Sequence, residues 1–431
     1  MATPNSIAFF IQSAVSMTEV WFIGRLGSTS LAAIALAFPL LMLTQTMSGG
    51  AMGGAVASAV ARALGAGRPD RAEALMWHAL IMAACGAGLF LLVFLLFGEW
   101  FLAFLGGRGE VLEEAFLYGL ILCIGGLAVW LVGIVSAIYR GIGNMQFPAL
   151  MMVVNACVQV PLSGCLILGA GGFPELGTPG AAVSAVLAAA LVSGLMLFGL
   201  ARGGERIRLR RNSFTLRWEL FQDLLRVFVP ASMSPLLTVL TIVSLTAIVG
   251  RFGEQALAGY GIGSRIEFLM IPLVFGLGAA MTSLVGMSIG ARNVARAEHI
   301  GWTGGAFAFL LTGAAGVLLA FTPDAWVPLF TDVPEVADAA HRYIQIVGPC
   351  YGFFGLGLSL YFASQGARAM RWPVVATVLR FVLAVSGALV LAFEVDLGLN
   401  GVYYAAAAGM VAYGLIIAAS LKLGAWRRPD G

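Results

Sequence analysis

Four charged residues lie inside long apolar stretches of this chain: Glu19, Arg265, Glu267 and Arg380. A charge within a bilayer is expensive and normally turns towards a partner or a water-filled cavity, so each is a candidate for binding or moving an ion. Glu19 has Thr18 beside it, with Ser16 three and Gln12 seven residues before it, and those last spacings share one helical face. A carboxylate with hydroxyl and amide oxygens is a candidate Na+ ligand set, and it is also able to take up and release a proton. The competing account is an acid at the outer interface, because Gly24 and Arg25 end the stretch nearby. Arg265 and Glu267 are two apart and point in different directions on a helix. Arg265 is suited to neutralise a carboxylate across a cavity, or Glu267 to attract a cationic substrate or the ion. A buried ion pair that fixes packing is the alternative. Asn155 and Gln159, at i and i+4, line a cavity or hydrogen-bond between helices, and Thr44 and Gln45 stand on similar ground.

Other chemistries find no support. Cys85, Cys123, Cys157, Cys165 and Cys350 have no paired spacing and read as packing residues, and His78, His299 and His341 form no metal-ligand cluster. Nucleophile–base and paired-Asp constellations are missing, as is any Gly-rich phosphate loop, so neither an intramembrane enzyme nor a nucleotide-driven pump is expected. No cofactor is implied beyond a coupling ion, Na+ or H+.

The elements that position these residues are set by composition. Sixty per cent of the 431 residues are hydrophobic and 10% charged, against roughly 25% charged in a soluble protein. The solvent of this chain is therefore mostly lipid. Apolar stretches long enough to cross a bilayer cover 4–23, 31–60, 74–97, 115–138, 147–170, 180–201, 228–250, 256–288, 301–322, 343–364, 373–393 and 400–421. A period of two is absent from them, which excludes a barrel. The 56 glycines allow close helix approach, and Gly49/Gly53 and Gly50/Gly54 form small-xxx-small patterns. Pro39, Pro161 and Pro272 lie inside spans, where kinks serve gating or merely irregular packing.

With the N-terminus inside, inner loops hold 18 of the 24 basic residues, which places both termini in the cytoplasm of a cell (inner or plasma) membrane protein. The net charge of +3 is thus a topology signal and not one for nucleic acid. The densest basic run, Arg202 to Arg217, reads as an anchor at lipid headgroups. After it Leu216, Leu220, Phe221, Leu224, Leu225 and Phe228 recur on one face, which predicts an in-plane amphipathic helix leading to Pro230.

A repeat spans the whole chain. "IGRLGSTSLAAIAL" from Ile23 returns as "VGRFGEQALAGYGI" from Val249, and "GAGRPDRAE" from Gly65 as "GARNVARAE" from Gly290. Glu110-Val111 and Tyr118 return as Glu335-Val336 and Tyr343, and Arg140-Gly141 through Pro148 as Gln365-Gly366 through Pro373, at an offset of 225–226 throughout. Six spans per copy is even, so the copies are parallel repeats related by an axis along the membrane normal, with a cavity between them that rocking opens to each side in turn. The domains expected are an N-terminal six-helix lobe over 1–201, a basic cytoplasmic linker with the amphipathic helix over 202–227, and a C-terminal lobe over 228–431. Only the second copy has such a leader before its first proline, which suggests that the natural protein carries one upstream of Met1. Glu19 has Leu245 as its counterpart and Arg380 takes the place of Asn155, so the copies need not bind the same ion.

"WFIGRLGSTSLAAIAL", "GAGRPDRAE" and "GIGSRIEFLMIPLVFGLGAAMTSLVGMSIGARNVARAE" resemble the multidrug and toxic compound extrusion (MATE) family. The resemblance implies two six-helix lobes and export of varied amphiphilic, mostly cationic organic compounds, driven by inward Na+ or H+. It further implies an acid five residues before the glycine that ends the first helix, here Glu19, and an Asn with an acid four residues on, here Asn155 and Gln159. The Gln departs from that pattern, since an amide cannot carry a proton, and the acid that some members have early in the seventh helix is absent. The expected partners are a small-molecule substrate and membrane lipids, with no nucleic acid and a monomeric chain. A lipid-linked saccharide flippase of the same superfamily is the alternative; such proteins often have extra helices and a more basic cavity.

Overall fold

The computed structural model describes residues 2–203, 207–210 and 214–427, and is helical with no strand among them. Parts of the basic run (204–206 and 211–213) and of the basic tail (428–431) lie outside the described residues. The chain divides into two compact units, Met1–Phe228 and Val229–Gly431. The first holds α1 (Ala2–Gly24), α2 (Ser28–Gly65), α3 (Pro69–Phe104), α4 (Gly109–Ile124 and Gly126–Ile142), α5 (Gln146–Leu168) and α6 (Thr178–Arg202). The start of α7 (Trp218–Val249) also belongs to it; its remainder joins α8 (Glu254–Gly290), α9 (Val294–Phe321), α10 (Pro334–Ala367), α11 (Arg371–Glu394) and α12 (Gly398–Lys422). Among the described residues ten elements are singly long and apolar enough to cross a membrane, and the bent pair of α4 makes an eleventh. With the 23-residue α1 this is the fold of twelve helices, six in each lobe.

Several spans differ from a plain apolar rod. The fourth bends by 54° between Ile124 and Gly126. A side chain on Gly125 would run into Val186 of α6, at 2.3 Å, so the glycine that lets α6 approach is also where α4 breaks. In α2 the turns Thr46–Met52 are π-helical, and the Thr46 hydroxyl donates to the Met42 carbonyl at 2.7 Å. Extra backbone per turn of this kind recurs at functional sites.

Small residues hold the crossings together, as expected where lipid provides no apolar drive for association. A Cβ at Gly141 of α4 would stand 2.9 Å from the Ala57 carbonyl of α2, and one at Gly366 of α10 would stand 2.5 Å from the Thr282 carbonyl of α8. The same contact is thus built twice, once per repeat. Outward faces are apolar instead, with Leu92, Leu95, Leu96 and Phe97 of α3 and Leu310, Leu318 and Phe321 of α9 all exposed.

The segment after α6 folds onto the first unit. Glu73 accepts from the Arg208 amide and the Trp77 indole donates to the Arg210 carbonyl, both at 3.0 Å. The Arg217 amide donates to Nε2 of His78, leaving Nδ1 to donate to the Ala74 carbonyl. Asp223 takes Arg62 and Arg71 at 3.1 Å each, while Ile207, Leu220, Leu224 and Val227 are buried. The expected in-plane helix is corrected accordingly. Trp218 to Val249 is one helix, unbroken at Pro230 and Pro235, and its early apolar face packs on protein. A proline deletes only a local backbone bond, and neighbouring helices make up for that.

Candidate functional site

In the first unit, α1 brings Glu19 against one face of α5. Asn155, Gln159 and Ser163 stand at successive i+4 steps on that face and are all buried. Asn155 Nδ2 donates to Gln159 Oε1 at 2.7 Å, Gln159 Nε2 donates to Glu19 Oε1 at 2.8 Å, and Ser163 Oγ donates to the same oxygen at 3.3 Å. The amide of Gln159 is oriented by this chain of donors, with its oxygen spent on Asn155 and its nitrogen on the carboxylate. No arginine or lysine among the described residues pairs with Glu19. Arg25, six residues on, lies instead over the Trp21 ring at 4.0 Å. Glu19 Oε2 accepts no described hydrogen bond. The arrangement is a half-buried carboxylate with one oxygen held by neutral donors, able to exchange a proton or contribute an oxygen to a cation.

The second unit builds a different cluster. Glu267 of α8 accepts a hydrogen bond from the Tyr343 hydroxyl of α10. The Tyr343 ring meets Tyr260 edge-on at 5.4 Å and Tyr403 at 5.1 Å, which fixes the phenol that caps the acid. Arg380 of α11 is near enough to act on Glu267 electrostatically but forms no ion pair with it, and lies over Phe354 and Tyr413 at 5.1 and 5.6 Å. Such cation–π placement keeps a guanidinium partly desolvated without spending its donors.

The MatE family model matches residues 4–164 and again 230–390, one copy in each unit. The chain belongs to the MatE family. Members of this family are transporters and not enzymes. This MatE chain is 24% identical over 430 residues to the probable multidrug resistance protein NorM of Thermotoga maritima, covering 98% of this chain and 90% of that one. It is 25% identical over 367 residues to an FAD transporter of Shewanella oneidensis, covering 84% and 80%. A solved MOP superfamily transporter from Pyrococcus furiosus superposes with a TM-score of 0.92 at 23% identity, over 99% of this chain and 95% of that one, and shares its fold.

The MatE chain gathers some of the residues singled out by sequence and separates others. Glu19, Asn155 and Gln159 come together. Ser16 is exposed and Gln12 partly so, and neither joins Glu19 by a described hydrogen bond. Arg265 is exposed, points away from Glu267 and lies over Phe330 at 5.5 Å. Two participants escaped sequence reasoning. Ser163 completes the i+4 ladder of Asn155 and Gln159, a signal that the spacing rule alone would have extended. Tyr343 was noted as a repeat landmark, yet no local pattern ties it to an acid 76 positions away.

Proposed function

We propose that the chain exports amphiphilic, cationic organic compounds across the cell inner membrane by antiport with Na+ or H+, through alternating access, as a monomer with both termini cytoplasmic. The observation that carries this reading is Glu19, a carboxylate in a span with neutral donors on one oxygen and no cation partner among the described residues. Its occupancy by a proton or Na+ would change the charge within the first unit by one, which is what coupling to a gradient requires. Relatives described as multidrug resistance proteins support the substrate class.

Purified protein in liposomes, loaded with a fluorescent organic cation, is exposed to Na+ and H+ gradients imposed separately. Efflux is expected under one of them. Glu19→Gln is expected to leave insertion intact and abolish gradient-driven efflux, and unchanged efflux at equal incorporation would remove Glu19 from the mechanism. A second reading, export of a flavin dinucleotide, is favoured by the relative described as an FAD transporter. Liposomes loaded with FAD in parallel discriminate the two.

A further inference from the structure

Arg140 closes α4 and is 5% exposed, yet it meets no carboxylate, hydrogen-bond acceptor or aromatic ring among the described residues. This is unusual physical chemistry. A guanidinium stays protonated in proteins, and a buried charge is normally paired. The other strongly buried ion of the first unit, Asp223, is met by two arginines.

The surroundings offer no substitute. The neighbouring polar groups of α4 are committed, the Tyr139 hydroxyl donating to the Met196 carbonyl and Ser136 to the Met196 sulfur. On the α2 side the guanidinium faces Gly53, where an added Cβ would stand 3.7 Å from Nη2. Gly53 directly follows the π-helical turns Thr46–Met52, so Nη2 of Arg140 ends beside backbone carrying no side-chain bulk. The repeat adds an independent observation. Gln365, at the same position of the second copy, is fully buried; its amide oxygen makes no hydrogen bond and its nitrogen has only the Tyr361 hydroxyl beside it. Both copies therefore bury unspent polar groups where their fourth helix ends, and only the first copy carries a charge there.

We propose that Arg140 is an oxyanion-binding site, which takes a phosphate or carboxylate group in the bidentate fork of its guanidinium beside Gly53. Arginine suits planar two-point recognition of such groups. The group belongs to a soluble anion or to a lipid headgroup, and the site stands independently of the Glu19 antiport reading.

The test uses the full chain in nanodiscs of neutral phosphatidylcholine titrated with inorganic phosphate, and in nanodiscs containing phosphatidylglycerol, with thermal unfolding as readout. Arg140→Gln installs the residue that the second copy buries at this position. Wild type is expected to be stabilised by phosphate, by phosphatidylglycerol or by both, and the variant to bind roughly ten- to hundredfold more weakly. A gain with phosphate alone identifies a solute site, and a gain with phosphatidylglycerol alone a headgroup site. Equal gains in wild type and variant overturn the proposal, because exposed arginines then hold the anion. Should the variant fail to insert, phenylglyoxal labelling of wild-type Arg140 read by mass spectrometry decides. Protection by either ligand supports the site, and identical labelling with and without both overturns it.

Discussion

Gln159 spends both ends of its amide, one on Asn155 and one on Glu19, so its removal is felt twice. Gln159→Leu keeps the volume but leaves a donor of Asn155 without its acceptor and deprives Glu19 of its closest donor. A loss of about 1–3 kcal/mol of stability is expected, the usual cost of orphaned buried polar groups. Thermal unfolding in detergent measures it, and an unchanged midpoint would mean that the ladder on α5 does not bear on folding. At this scale the sequence was legible along a helix and illegible across helices. The spacing of Asn155 and Gln159 announced a common face, but that Glu19 would answer them from α1, leaving Ser16 and Gln12 behind, depends on a tertiary approach that no local period encodes. In the sequence Arg140 is a repeat landmark beside Gly141 and one of the inner basic residues, because nothing in its neighbourhood marks it as unpartnered.

Elements meet where the chain has removed side chains. At Gly366 an added Cβ stands 2.5 Å from the Thr282 carbonyl and 3.1 Å from the Gly286 amide, and backbone cannot step aside as a flexible side chain can. Gly366→Val is therefore expected to destabilise by at least the 1–3 kcal/mol typical of overpacking, roughly, and Gly141→Val to act in the same direction. Yield of monodisperse protein and its melting midpoint report both. A second element-scale expectation concerns the clamp on the basic segment. Asp223→Ala leaves Arg62 and Arg71 without their shared partner, and limited trypsin digestion is expected to cut within 202–217 several times faster than in wild type. Equal digestion rates would place the holding force in Leu220, Leu224 and Val227 instead. Helix count and most boundaries could be read from apolar length. The π turns of α2, the bend at Gly125 and the unbroken passage through Pro230 could not, since each is a compromise between local backbone preference and what packs alongside.

At the scale of the whole molecule, a duplicated plan carries unlike chemistry. The repeat, visible as matching strings 225–226 residues apart, returns as one family match in each unit. The contents diverge: Glu19 faces amides and a hydroxyl where the second copy has the buried Leu245, and Glu267 faces a phenol. Symmetry could be read from the sequence because it is written in glycines, prolines and loop motifs. In the sequence the asymmetry is only a list of mismatches, because which of them face an acid is decided by tertiary packing.

Residues 207–210 and 214–228 belong to the second half by covalent continuity with α7 and to the first by their contacts with Glu73, Trp77, His78, Arg62 and Arg71. A gene cut into two cistrons after Gly203 would give the downstream polypeptide a built-in tether. Co-expressed as 1–203 and 204–431, with an affinity tag on the second alone, the fragments are expected to co-purify and to lose that association on Asp223→Ala combined with Leu224→Ala. Recovery of the tagged piece alone would mean that the peptide bond, and not the docked arm, keeps the halves in one molecule.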